Sequence, residues 1–263
     1  MSAALEIGIE GVGVWAPQWS NWPSASAALR DNVEIAANAN ARPAPSLLPP
    51  TERRRAPEAV LIAVAAAQQA CAMAQRDPRE LPHVFASAYG DQAVNDYLCA
   101  TLARTPLEVS PTRFHNSVHN APAGYWAIAT GCMRASTALS AGAATFGAAL
   151  LEAALVAQHE AALLVVYDVA AAGPLQDVIA CRRSFAAAFV LAPVSARAGT
   201  RLRLRARDGA GTLARDAALL HANQRDNPAA CSLPLLAALA GGAATELAFE
   251  AGPQLHLDME ISF

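Results

Sequence analysis

The sequence predicts an α/β layered fold, and three observations predict it. Apolar runs rich in Val, Ile and Leu recur as short strand-like segments, LEIGIEGVGVW, HVFASA and ALLVVY among them. Between them lie runs of Ala, Leu and Gln, residues with strong helix propensity. Strand, helix and strand in alternation is the pattern that lays helices over a sheet. At 263 residues the chain can bury a sizeable core, and 54% hydrophobic with 16% charged residues excludes disorder along its whole length.

From the N-terminus, residues 5–15 read as a buried strand. Residues 16–51 carry Pro17, Pro23, Pro43, Pro45, Pro49 and Pro50, and read as an irregular excursion with no long helix. Residues 56–75 predict a helix, with Glu58 near its positive end. Residues 83–88 are a short strand, Gly90 and Asp91 a turn, and residues 92–103 a second helix on which Val94, Tyr97, Leu98 and Thr101 share one face. The heptad FHNSVHN, Phe114 to Asn120, reads as a loop, with Asn120 as N-cap and Gly131 as stop of a helix over 121–130. Residues 136–140 are a short strand. Gly142 opens a long helix whose Ala and Gly positions let other backbones approach, so it is expected to be buried. Residues 162–167 form a strand ending at Asp168, 184–191 and 201–207 two more, 233–240 a helix, and 246–250 with 255–261 a closing strand pair.

Composition excludes whole classes of chemistry. The chain contains 66 Ala and no Lys, so all 19 basic residues are Arg. Without lysine it makes no Schiff base with pyridoxal phosphate and carries no Walker A phosphate clamp, nor is it an ordinary kinase. A net charge of -3 gives no reason to bind nucleic acid. Arg53, Arg54 and Arg55 are expected to begin a solvated helix face, and Arg201, Arg203, Arg205 and Arg207 an exposed strand face. Five cysteines without a CxxC pair, no signal peptide and no membrane-length apolar run fit a reduced, cytoplasmic protein.

The string NAPAGYWAIATG, then STALSAGAATFGAALLEA, then a strand ending VVYD, resembles the N-terminal half of the β-ketoacyl synthases of the thiolase superfamily. FHNSVHN with AGYWAIATG looks particularly like the short chain-length factors found beside aryl polyene synthases. The resemblance implies a thiolase-like layered fold in one domain over residues 1–263: a buried helix between mixed sheets, an N-terminal-half-like core over 1–193 and a truncated or rebuilt part over 194–263. It also implies a cysteine at the elbow before the buried helix, where helix and backbone amides lower the thiol pKa. Alignment places Ala143 there, or Gly142 or Ala144 with a slip of one residue; no thiol results. Of the family's two C-terminal histidines, only His221 and His256 are available, and neither lies in a glycine-rich motif.

The resemblance therefore implies a non-catalytic subunit that pairs as a heterodimer with a full-length ketosynthase, meets acyl carrier protein through that complex and shapes the acyl tunnel, with no cofactor. Val94, Tyr97 and Leu98 would be the tunnel gate, or else only the core face of their helix. Ser136, Thr137, Ala138, Leu139 and Ser140 would be the partner interface, with a homodimer through the same strand when the partner is absent. The residues leave alternatives open. An enzyme, hydrolase or acyltransferase, would use Ser117 or Cys132 as nucleophile and His115 or His119 as base; Cys132 otherwise reads as a small core residue. His115, Asn116, Ser117, His119 and Asn120 would otherwise bond to the loop backbone. A metal at His115 and His119 lacks a third ligand. A freestanding ligand-binding domain is the last alternative.

Overall fold

The computed structural model describes residues 4–38, 40–194, 199–209 and 226–263. Its elements run β1 (Leu5–Trp15), α1 (Trp22–Asp31), α2 (Pro50–Arg55), α3 (Glu58–Ala74), β2 (His83–Ala86), α4 (Gln92–Arg104), α5 (Pro111–His115), α6 (Ala121–Thr130), β3 (Ser136–Leu139), α7 (Thr145–Ala157), β4 (Ala162–Asp168), β5 (Phe185–Pro193), β6 (Thr200–Asp208), α8 (Leu233–Gly241), β7 (Thr245–Gly252) and β8 (Leu255–Ser262). The strands form one mixed sheet in the order β3-β2-β4-β5-β1-β6-β8-β7. β2, β3 and β4 are parallel, and the remaining pairs are antiparallel.

Helices cover both faces of the central strands, which explains why the six residues of β4 before Asp168 form an unbroken apolar run and all seven are buried. On one face α3 lies over β1, β4 and β5, and α6 packs beside it. Val60, Ile62, Val64 and the Ala positions of α3 join Phe85, Trp126, Val165 and Val190 in a dry cluster. On the other face α7 contacts β2, β4 and β5. It also packs against β7, because the sheet curls until its β6–β8–β7 limb lies over the helix. The two layers around α7 are thus limbs of one sheet. Gly147 permits the approach, since a Cβ there would sit 2.2 Å from the Glu250 carbonyl oxygen. Phe146 meets Phe249 of β7 edge-on at 4.9 Å.

Four expectations need correction. Residues 16–51 are not irregular throughout: α1 forms because Pro23 falls in its first turn, where a missing N–H leaves nothing unsatisfied, and the Asn21 side chain accepts from Ser24 N–H at 2.9 Å. The Arg triplet closes the six-residue α2 rather than opening a longer helix, and its charges offset the negative end of the dipole. Asn120 precedes α6 but makes no side-chain cap bond. The helix expected from Gly142 starts at Thr145, after a 3-10 turn over Gly142–Ala144. The Arg stripe on β6 does face outward: Leu202 and Leu204 are buried, while Arg203, Arg205 and Arg207 pair with Glu6, Glu260 and Asp258. His221 lies outside the described residues.

Candidate functional site

The carboxyl ends of the three parallel strands lie side by side, and the turn leaving each strand decides the chemistry available there. After β3 the chain turns sharply into α7. The apex is Gly142, at φ +57, a left-handed conformation that costs glycine little. Ala143 is exposed and Ala144 buried. Thr145 ties the turn: its hydroxyl donates to the Gly142 carbonyl at 2.7 Å and accepts from Ala141 N–H at 3.0 Å. The turn is therefore held by its own backbone and Thr145, but Gly142, Ala143 and Ala144 offer no thiol, hydroxyl or imidazole. Cys132 lies by the start of β3, at the other end of the strand. It is buried, its thiol donates to the Leu81 carbonyl at 3.5 Å, and it stands 3.9 Å from His83 Nδ1.

After β2 and β4 the polar groups are dense. The Asp168 carboxylate, fully buried, accepts from the Ser87 hydroxyl at 2.7 Å, from Tyr89 N–H at 3.0 Å and from Ala88 N–H at 3.3 Å. Burial pushes its pKa up to about 6, while these three donors and the neighbouring His119 oppose the rise. His119 Nε2–H donates to the Ser87 carbonyl at 2.9 Å, and the Asn227 amide donates to the Asp168 carbonyl at 3.0 Å. Sequence reasoning missed this cluster. Its signal was an acid ending an otherwise wholly apolar strand.

The heptad does not assemble a nucleophile and base. Ser117 donates its hydroxyl to the Phe114 carbonyl at 2.8 Å, and His115 and Asn120 face solvent. Asn116 is buried, and its Oδ1 accepts from the Tyr125 hydroxyl at 3.2 Å. Among the described residues no group of three His, Cys, Asp or Glu side chains is arranged to hold a metal.

On α4, Val94 is buried while Tyr97 and Leu98 are half-buried, and none of the three belongs to either apolar core cluster. Tyr97 organises the loop after α4: its hydroxyl accepts from Ser110 N–H at 3.1 Å, and the Arg113 guanidinium sits 4.2 Å from its ring centroid. β3 is the end strand, paired only with β2 among the described residues. His83 N–H donates to the Ala135 carbonyl and Ser87 N–H to that of Leu139. Odd-numbered residues of β3 thus bond to β2, so the backbone groups of Ser136 and Ala138 face the open edge. Ile128 of α6 and Met133, in the loop leading into β3, are 85% and 95% exposed.

Comparison with solved structures shows the same fold. The chain aligns, at TM-score 0.73 and 21% identity, with a chain of the complex between the ketosynthase ApeO and its chain length factor ApeC from Xenorhabdus doucetiae, covering 97% of this chain and 99% of that one. A type II polyketide ketosynthase with its acyl-carrier protein, AntDE:AntF, aligns at TM-score 0.75 and 11% identity, covering 99% of both chains. The ishigamide ketosynthase/chain length factor aligns at TM-score 0.72 and 14% identity, covering 98% and 99%. These likenesses establish a thiolase-like ketosynthase fold. A search of curated protein sequences finds no significant match. Residues 19–255 match the family described as beta-ketoacyl synthase, N-terminal domain, and a match over that much of the sequence means that the chain belongs to the β-ketoacyl synthase family.

Proposed function

We propose that the chain is a non-catalytic ketosynthase-like subunit, a chain-length factor, which pairs with an active ketosynthase and shapes its acyl tunnel in fatty-acid- or polyketide-type biosynthesis. One observation carries the reading: an intact elbow in which Gly142, Ala143 and Ala144 present no atom able to attack a thioester. Condensation needs a nucleophile that accepts the acyl group and a site that removes carbon dioxide from the extender. His256 cannot serve the second need as placed, since it sits on β8 with Nδ1 bonded to the Gly209 carbonyl at 3.1 Å. What remains is a scaffold with an open edge.

That edge supports pairing. Ser136 and Ala138 present unused backbone donors and acceptors to a partner strand, and Ile128 and Met133 add apolar area beside it. Two of the similar structures come from complexes named for a ketosynthase and a chain length factor. Under this reading Val94, Tyr97 and Leu98 on α4 border the tunnel, carrier protein engages the pair, and the chain alone forms a homodimer through β3. Co-expression with a candidate ketosynthase, with size exclusion and native mass measurement of the product, tests it. A one-to-one complex containing this 27.2 kDa chain is expected; separate elution of two folded proteins overturns the reading.

A further inference from the structure

Residues Asn116 to His119 of the heptad wall a partly open cavity of about 210 Å³ between α3, α4 and the start of α6, lined also by Val60, Asp91, Asn95, Pro122 and Tyr167 among others. That volume is below the range of whole-ligand pockets, so it suits a small molecule or the end of a longer one. Its polar lining is unevenly satisfied. Asp91 is fully engaged, capping α4 through Val94 N–H at 3.0 Å and holding Ala59 N–H at 3.2 Å. Asn116 is only 5% exposed, and although its Oδ1 is bonded to Tyr125, its Nδ2 has no acceptor among the described residues. The unused N–H groups at the cavity wall can donate to an acceptor that enters it. Ala121 and Pro122 at the start of α6 line the same space without adding a donor, since Ala121 N–H is bonded to the Val118 carbonyl at 3.0 Å and proline has no N–H, so the donor is Asn116.

Charge selects between acceptors. No Arg lines the cavity; the Asp91 carboxylate does, as does His119, whose Nε2–H is already given to the Ser87 carbonyl at 2.9 Å. An anion is therefore disfavoured, and a neutral oxygen on a flat apolar body fits the Val60, Pro122 and Tyr167 walls. We infer that this cavity is a binding site for a neutral, oxygen-bearing ligand or ligand terminus, a carbonyl, amide or phenol, held by Asn116 Nδ2. The site needs no partner subunit, so it stands or falls separately from the paired-subunit reading.

Three probes of one shape test it: benzamide, benzoate and toluene, titrated into the isotope-labelled full chain. Benzamide is expected to bind at about millimolar Kd, as such small ligands do, and to move the Asn116 side-chain NH2 resonances. Benzoate and toluene should each bind at least about tenfold more weakly, one for its charge and the other for its missing acceptor. Asn116→Asp, which exchanges the donor for an acceptor, should abolish benzamide binding, and Tyr125→Phe, which spares Nδ2, should retain it. If Asn116→Asp does not fold, the resonance shifts in the unaltered chain decide. Absence of benzamide binding, binding that leaves the Asn116 NH2 signal unmoved, or equal binding of benzoate overturns the proposal.

Discussion

The turns at the carboxyl ends of the parallel strands are of two kinds that differ in almost every respect. The turn after β3 holds Gly142, Ala143 and Ala144, with Thr145 spending its hydroxyl on the backbone. The turns after β2 and β4 hold Ser87, Tyr89 and Asp168, with His119 reaching in from the heptad. A buried carboxylate persists in a folded chain only when donors surround it, whereas an elbow keeps its shape with glycine and alanine alone. The contrast teaches that one end of this strand layer is built around a buried polar anchor, while the turn at Gly142, Ala143 and Ala144 carries no side chain able to act as a nucleophile.

The largest expected effect breaks the built side. Asp168→Ala strands the Ser87 hydroxyl and two backbone N–H groups in a dry site, and should destabilise the chain by about 3 kcal/mol or more, about 6 to 12 °C in Tm. A shift below about 2 °C would make the cluster incidental. The anchor also carries a pH signature. Its folded pKa, about 6, lies above the ordinary carboxylate value of 3.8, so the native state holds the extra proton between them. Stability should therefore fall as pH rises from about 4 to about 6, and denaturant midpoints across that window should lose this slope in Asp168→Asn.

Next in size is the open edge beside the bare elbow. Ala138→Pro removes an N–H that faces outward, not one that bonds β2. It should weaken association with a partner synthase about a hundredfold or more in a binding titration while the chain's own Tm moves by no more than about 4 °C. Undiminished association would put the interface elsewhere. Leu98→Ala sharpens the reading of α4. A half-buried residue outside both core clusters should cost less than about 2 kcal/mol, while Leu150→Ala in the core should cost about 2 to 5 kcal/mol. Longer products from the reconstituted pair, analysed by mass, are expected from the Leu98 variant; unchanged products with a core-sized loss of stability would return it to packing. The smallest effect belongs to the heptad's hydroxyl. Ser117→Ala should change stability by about 0.5 kcal/mol or less and leave product formation intact, because the Ser117 hydroxyl bonds to the Phe114 carbonyl of its own loop.

These regions were unequally legible in the sequence. Continuous apolar runs revealed β1 and β4, the alternation of Arg with apolar residues revealed β6, and the Ala-rich composition of α3 and α7 revealed helices that pack closely, since period and propensity are local properties. The curl of the sheet over α7 was hidden, because Gly147 meets Glu250 across about a hundred residues. Pro23 misled: proline ends helices, but it also starts them, and only the Asn21 cap tells which. The heptad FHNSVHN promised convergence in the sequence, yet folding splays it, sending His115 outward and His119 to Ser87. Asp168 was visible as a strand end, and its importance was not, since its three donors come from residues 87–89.

The central claim is that the elbow cannot take an acyl group, and intact-mass measurement tests it most directly. The reconstituted pair is incubated with acyl-loaded carrier protein, and each subunit is weighed. The account predicts an acyl adduct on the partner synthase alone, with this chain remaining at its unmodified mass of 27.2 kDa. A stoichiometric acyl adduct on this chain would contradict it.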